Sequence, residues 1–135
     1  MALQYSVTVR NAQLDAVETT VGTAPLLRIY SGSAPANCAA AASGTLLAEA
    51  TLPSDWMAAA SSGSKALSGT WQDASANATG TAGHWRLYDS SGTTCHAQGT
   101  VTATGGGGDM TLDNTSIASG QSVTITSFTI TAGND

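Results

Sequence analysis

Two periodicities divide the chain. From Arg10 to Gly22 the segment "RNAQLDAVETTVG" sets Leu14, Val17 and Val21 at helical spacing, and Gly22 follows where a C-terminal cap belongs. The spacing predicts one helix of about three turns, with Asp15 and Glu18 turned away from its apolar stripe. Before it, "QYSVTV" (Gln4 to Val9) places Tyr5, Val7 and Val9 on one side, the pattern of a short strand or an extended arm.

After Pro25 the period changes to two. Leu26 to Gly32 reads as a strand, "SAPANCAAAASG" (Ser33 to Gly44) as a loop, and Gly44 to Pro53 as a second strand that Pro53 stops. "SDWMAAASSG" (Ser54 to Gly63) is expected to be a third, anchored by Trp56, and Ser64 to Asp73 a fourth. Thr81 to Thr102 reads as strand, turn, strand. Its turn is "DSSG", an Asp able to cap followed by a Gly for positive φ. "TGGGGD" is expected to be a flexible loop, and the chain closes on two strands around "ASGQ". One helix followed by seven or eight short strands predicts an all-β fold, an antiparallel β-sandwich or jelly roll with one short N-terminal helix. Residues 1–135 are expected to form a single domain, with 1–22 as N-terminal arm and helix.

Composition narrows the function. Charged residues make up 10% of the chain, against about 25% in an average domain. The net charge is −5, and the only basic residues are Arg10, Arg28, Lys65 and Arg86. Nucleic-acid binding needs clustered cations and is not expected. No basic amphipathic face and no run of about 20 apolar residues suggests a membrane. "MALQYSVTVRN" lacks the basic start and apolar run of a signal peptide, so the chain is expected to be made in a reducing cytoplasm with Cys38 and Cys95 as free thiols. A disulfide between them needs Cα atoms within about 7 Å, which the sequence leaves open. Leu, Ile, Val and Phe are scarce, so the core is thin and assembly with other chains is expected to add stability.

"GHWRLYDSSGTTCH" (Gly83 to His96) concentrates the candidate chemistry: His84, His96 and Cys95, with Arg86 and Asp89. Cys95 and His96 are neighbours on a strand and so point to opposite faces. Zinc-type spacings such as CxxC or HxxxH are missing. The sequence has no GxSxG elbow, and Asp55, Asp73, Asp89, Asp109 and Asp113 fall mostly in turns, where they cap. "TGGGGD" has neither the lysine nor the following helix of a phosphate loop. The expectation is a hairpin without catalytic, cofactor-binding or metal residues, in a protein that is not an enzyme. Alternation turns Trp85 and Leu87 inward and Arg86 and Tyr88 outward or toward a partner. Trp56, Trp71 and Trp85 read as core or interface anchors, although any of them could stack on a sugar ring.

The segments "YSVTVRNAQLDAVETTVGTAPLLRIYSGSAPAN", "GTLLAEATL", "HWRLYDSSGTT" and "LDNTSIASGQSVTITSFTITAGN" together span nearly the whole chain. They resemble small tailed-bacteriophage structural proteins of the capsid cement or decoration type. The resemblance implies a small β-sandwich or jelly roll that binds the outer surface of a major-capsid shell and stabilises it, as a homodimer or homotrimer on the virion exterior. It brings no catalytic residues. The alternative is a receptor- or carbohydrate-binding β-domain of a phage tail fibre or spike.

Overall fold

Ser6 decides where regular structure begins. In the computed structural model, which describes residues 3–133, its backbone is extended and its hydroxyl accepts from the Val9 N–H (3.2 Å). Ser6 therefore caps helix α1, Val7–Val21. The strand or arm expected over Gln4–Val9 does not form. Gln4 to Ser6 are irregular and Val7 to Val9 make the first helical turn, because no neighbouring strand satisfies an extended backbone there while the cap satisfies a helical one. Met1 and Ala2, the first residues of that expected arm, lie outside the described residues. The helix ends as expected, with Gly22 donating its N–H to the Glu18 carbonyl.

Among the described residues ten strands follow: β1 Leu26–Ser31, β2 Leu46–Thr51, β3 Ser64–Ala66, β4 Trp71–Asp73, β5 Gly80–Tyr88, β6 Cys95–Ala103, β7 Met110–Leu112, β8 Ser116–Ile117, β9 Val123–Ile125 and β10 Thr129–Thr131. The main sheet runs β2-β1-β5-β6-β7, with β8 paired to the start of β5; β3 pairs with β10 and β4 with β9. The chain is mostly β with one helix, and α1 is too short to cross a membrane.

The sheets are mixed, which corrects the expectation of a purely antiparallel fold. β7 lies parallel to β6, with Val101 opposite Met110 and Ala103 opposite Leu112. "TGGGGD" makes this possible and is not a loose loop. The chain doubles back along β6, where Gly108 N–H donates to Thr102 Oγ1 (3.0 Å) and Asp109 N–H to Thr100 Oγ1 (3.1 Å). A Cβ on Gly106 or Gly108 would lie 2.8–2.9 Å from the Thr102 side chain, so only glycine permits the approach.

Two expected strands also differ. Ser54 to Gly63 makes only isolated bridges, Met57 to Leu67 and Ser61 to Ser64. The expected strand Ser64–Asp73 is broken near Gly69 (φ 74°), and its halves β3 and β4 join different partners.

Between the main sheet and the smaller pairs, four aromatic rings form a chain. Trp56 meets Trp71 (5.9 Å between centroids), Trp71 meets Phe128 (5.5 Å), and Phe128 meets Trp85 edge-on (5.4 Å). Trp56 Nε1 donates to the Gly22 carbonyl (2.9 Å) and ties the helix end to this core. At the other end of α1, Arg10 Nε donates to the Ala132 carbonyl (2.6 Å) and Asn11 Oδ1 accepts from Gly63 N–H (2.9 Å). Ala132 N–H in turn donates to the Gly63 carbonyl (2.9 Å).

Candidate functional site

β5 alternates as a strand should, but both of its faces are covered. Trp85 and Leu87 point into the core, as expected. His84, Arg86 and Tyr88 occupy the other face, and all three are buried, Arg86 at 1% exposure and His84 at 0%. The outward placement of Arg86 and Tyr88 is therefore corrected. The cover is the loop from Gly32 to Gly44, read in the sequence as a plain connector.

The roof is held by side-chain donors of the sheet and backbone carbonyls of the loop. His84 meets the Gly32 carbonyl (2.9 Å), a contact that assigns its proton to Nδ1. Gln98 Nε2 donates to the Pro35 carbonyl (2.7 Å), and Arg86 Nη2 donates to the Cys38 and Ala40 carbonyls (2.8 and 2.9 Å). An alanine-rich loop has few polar side chains to offer, so its main chain supplies the acceptors.

Under the roof the rings stack. Tyr30 lies flat on His84 (5.2 Å, 11°), and the Tyr88 ring is flanked by the guanidinium of Arg28 at 4.6 Å and of Arg86 at 5.5 Å. Burial and a hydrogen bond with Tyr88 push the Tyr30 hydroxyl above its usual pKa. Arg28 is paired with Glu49 Oε2 (2.6 Å). Among the described residues, Arg86 is paired with no carboxylate. Its ionisable neighbours are Cys95, Tyr88 and Cys38. Burial is the largest single influence and opposes its charge, but Cys95, Tyr88 and Cys38 together outweigh it and hold the Arg86 pKa above the ordinary value.

The two cysteines meet at the edge of this roofed face. Both are free and half-buried. They line one depression of about 330 Å³ with Arg28, Arg86 and Tyr88. Burial, together with the neighbouring Cys95 side chain, pushes the Cys38 thiol up to about 11. A register shift explains the placement. Leu87 faces Ala97 and Tyr88 faces Cys95, so His96 is an extra residue in β6.

His96 points the other way, as expected of a neighbour of Cys95. It is exposed and lines a separate depression of about 290 Å³ with Gln13, Ala16, Val17 and Thr20 of α1. The three residues of the sequence-level candidate are thus dispersed. Cys95 and His84 share a covered face and His96 sits against the helix. Among the described residues no group of three or more His, Cys, Asp or Glu side chains is placed to hold a metal ion. Asp89 caps its turn, accepting from the Thr93 and Thr94 N–H groups (2.9 and 3.3 Å), and these bonds lower its carboxyl pKa.

The second surface feature is apolar. Among the described residues, the exposed large hydrophobic residues are Leu3, Tyr5, Val7, Val9 and Val17, all in the N-terminal segment and α1. Val17, expected to pack with Leu14 and Val21, is partly exposed. Asp15 and Glu18, expected to face away, instead hold Lys65 of β3 at 2.7 and 2.9 Å. Lys65 is only 2% exposed. The helix docks through charge at its centre and through Leu14 and Val21 beside it, which turns an apolar edge to the outside.

No protein-family model, no curated protein and no solved structure matches the chain.

Proposed function

We propose that this chain is a structural virion protein, a capsid cement or decoration protein of a tailed bacteriophage that binds the outer surface of the major-capsid shell. One observation carries the reading: among the described residues, the large apolar side chains left exposed are gathered on a single segment, Leu3 to Val17. Grouped apolar exposure marks a contact surface. The low charge of the chain lets such a surface meet a shell with little desolvation cost. The reading includes a β-sandwich or jelly-roll body, a homodimer or homotrimer, no enzymatic activity, and a place on the capsid exterior after synthesis in the host cytoplasm. The alternative, a carbohydrate-binding domain of a tail fibre or spike, draws less support because Trp56, Trp71 and Trp85 are all buried and leave no indole face for a sugar.

The test mixes purified protein with undecorated shells of the parent phage and, separately, with a glycan array. Expected are saturable shell binding and a rise in the particle's heat resistance, both abolished by Val9→Asp with Val17→Asp while circular dichroism stays unchanged. These substitutions are better probes than removal of residues 1–9, which takes away the Ser6 cap and the first helical turn. Silence on shells with saturable binding to one glycan class overturns the reading.

A further inference from the structure

We propose that Cys38 and Cys95 are a modification site: a low-molecular-weight disulfide converts them into an intramolecular Cys38–Cys95 disulfide that pins the Gly32–Gly44 roof to β6. The inference is independent of the capsid reading.

Three observations carry it. First, the two cysteines line the same depression, one on the roof loop and one on the strand beneath it, and Arg86 of that depression donates to the Cys38 carbonyl (2.8 Å). A disulfide would hold the two sulfurs about 2.05 Å apart. The register shift at His96 is what turns Cys95 toward the loop. Second, the pair is reachable. Both residues are half-buried and line an open depression. Third, Arg86 faces both sulfurs and has no carboxylate partner among the described residues. Its charge offsets part of the burial cost of a Cys38 thiolate, the species that reacts in exchange, although burial still dominates and keeps that thiol above its ordinary pKa.

The exchange balances in two steps. One cysteine thiolate attacks a sulfur of the small disulfide RSSR, giving a cysteine–S–S–R mixed disulfide and RS⁻. The second cysteine thiolate then attacks the protein sulfur of that mixed disulfide, closing the Cys38–Cys95 bond and releasing a second RS⁻. The two protons lost by the cysteines leave on two RSH. Two thiols are oxidised and one RSSR is reduced.

The structural effect is specific. The roof is otherwise held to the sheet by side-chain bonds to its carbonyls, and Gly32 and Gly44 at its ends both have φ of 77°. In the reduced form Cys95 Sγ donates to the Ala97 carbonyl (3.4 Å), a weak bond that oxidation gives up. In return, a crosslink between residues far apart in sequence restricts the unfolded chain.

The experiment treats the native, reduced chain with oxidised glutathione and follows free thiols, intact mass and peptide maps. Expected are loss of both thiols, a Cys38–Cys95 crosslinked peptide in monomeric protein, and slowed amide exchange over residues 33–44. The unfolding temperature should rise by roughly 10 °C. Cys38→Ser and Cys95→Ser should each stop at a stable glutathione adduct and show no such rise. Retention of both thiols, a lasting adduct on the native chain, or disulfide-linked dimers overturns the proposal.

Discussion

Arg28 on β1 and Arg86 on β5 are register partners, two guanidiniums set directly opposite each other across an antiparallel pair. Like charges so placed repel. Glu49 neutralises one of them, and the Tyr88 ring lies against both. Glu49→Gln should then cost more than a half-exposed ion pair usually does, about 1–2 kcal/mol. Part of that loss should return in high salt, which partly screens the half-buried Arg28. Urea unfolding at low and high ionic strength checks this. A loss that does not change with salt would show that the two cations do not feel each other.

Trp85 joins the main sheet to the smaller pairs through Phe128. Trp85→Ala should destabilise the fold by about 3–5 kcal/mol, as removal of a buried indole does. A loss under about 1 kcal/mol would contradict its burial.

The hairpin from β5 to β6, the helix end at Gly22 and the inward face of Trp85 and Leu87 were legible in the sequence, because turn chemistry and alternation act locally. The parallel β7 was not. Its signal was four glycines, and glycine content alone does not distinguish a loose loop from one pressed against Thr102. The roof was illegible for a related reason. Alternation predicts which side chains share a face, and it cannot show that an alanine-rich loop will fold over a polar one and offer its carbonyls. The meeting of Cys38 and Cys95 depended on a one-residue shift at His96, which leaves no trace in the hydrophobic pattern. Lys65 was hidden because a buried lysine is rare and its carboxylate partners lie far away in sequence, on the helix.

Lys65 gives the fold a defined pH window. Burial lowers its pKa, but the hydrogen bonds to Asp15 and Glu18 outweigh burial and raise it above 10.5, while the bond to Lys65 lowers Asp15 below 3.8. The raised lysine contributes stability that is complete below its unfolded value and lost as pH climbs through the folded one. The lowered aspartate contributes stability present above its unfolded value and lost as pH falls through the folded one. Lys65→Met should therefore cost about 2–3 kcal/mol near neutral pH. The difference from the parent chain should shrink below pH 3.8 and above pH 10.5. A difference that is flat across the whole range would contradict the ion-pair origin.

Gly99 tests the doubled-back segment. A Cβ there would lie 2.7 Å from Asp109 Oδ2 and 2.8 Å from Trp85 Nε1. Gly99→Ala should push Asp109 off the Thr100 amide and cost about 1–3 kcal/mol. Amide exchange should quicken most at Met110 to Leu112. Unchanged exchange there would mean that β7 does not depend on this clamp.

The bond from Arg10 to Ala132 has a topological consequence. It brings the first turns of the helix and the residue after the last strand to one spot on the surface. Ser6 lies one helical turn from Arg10. A circular permutant could therefore join these ends with a short linker and open instead at the exposed Ser90–Ser91 turn, leaving every strand beside its present neighbour. In such a molecule the apolar stretch from Leu3 to Val17 would sit mid-sequence, tethered on both sides, and its reach toward another surface could be set by the length of the linker.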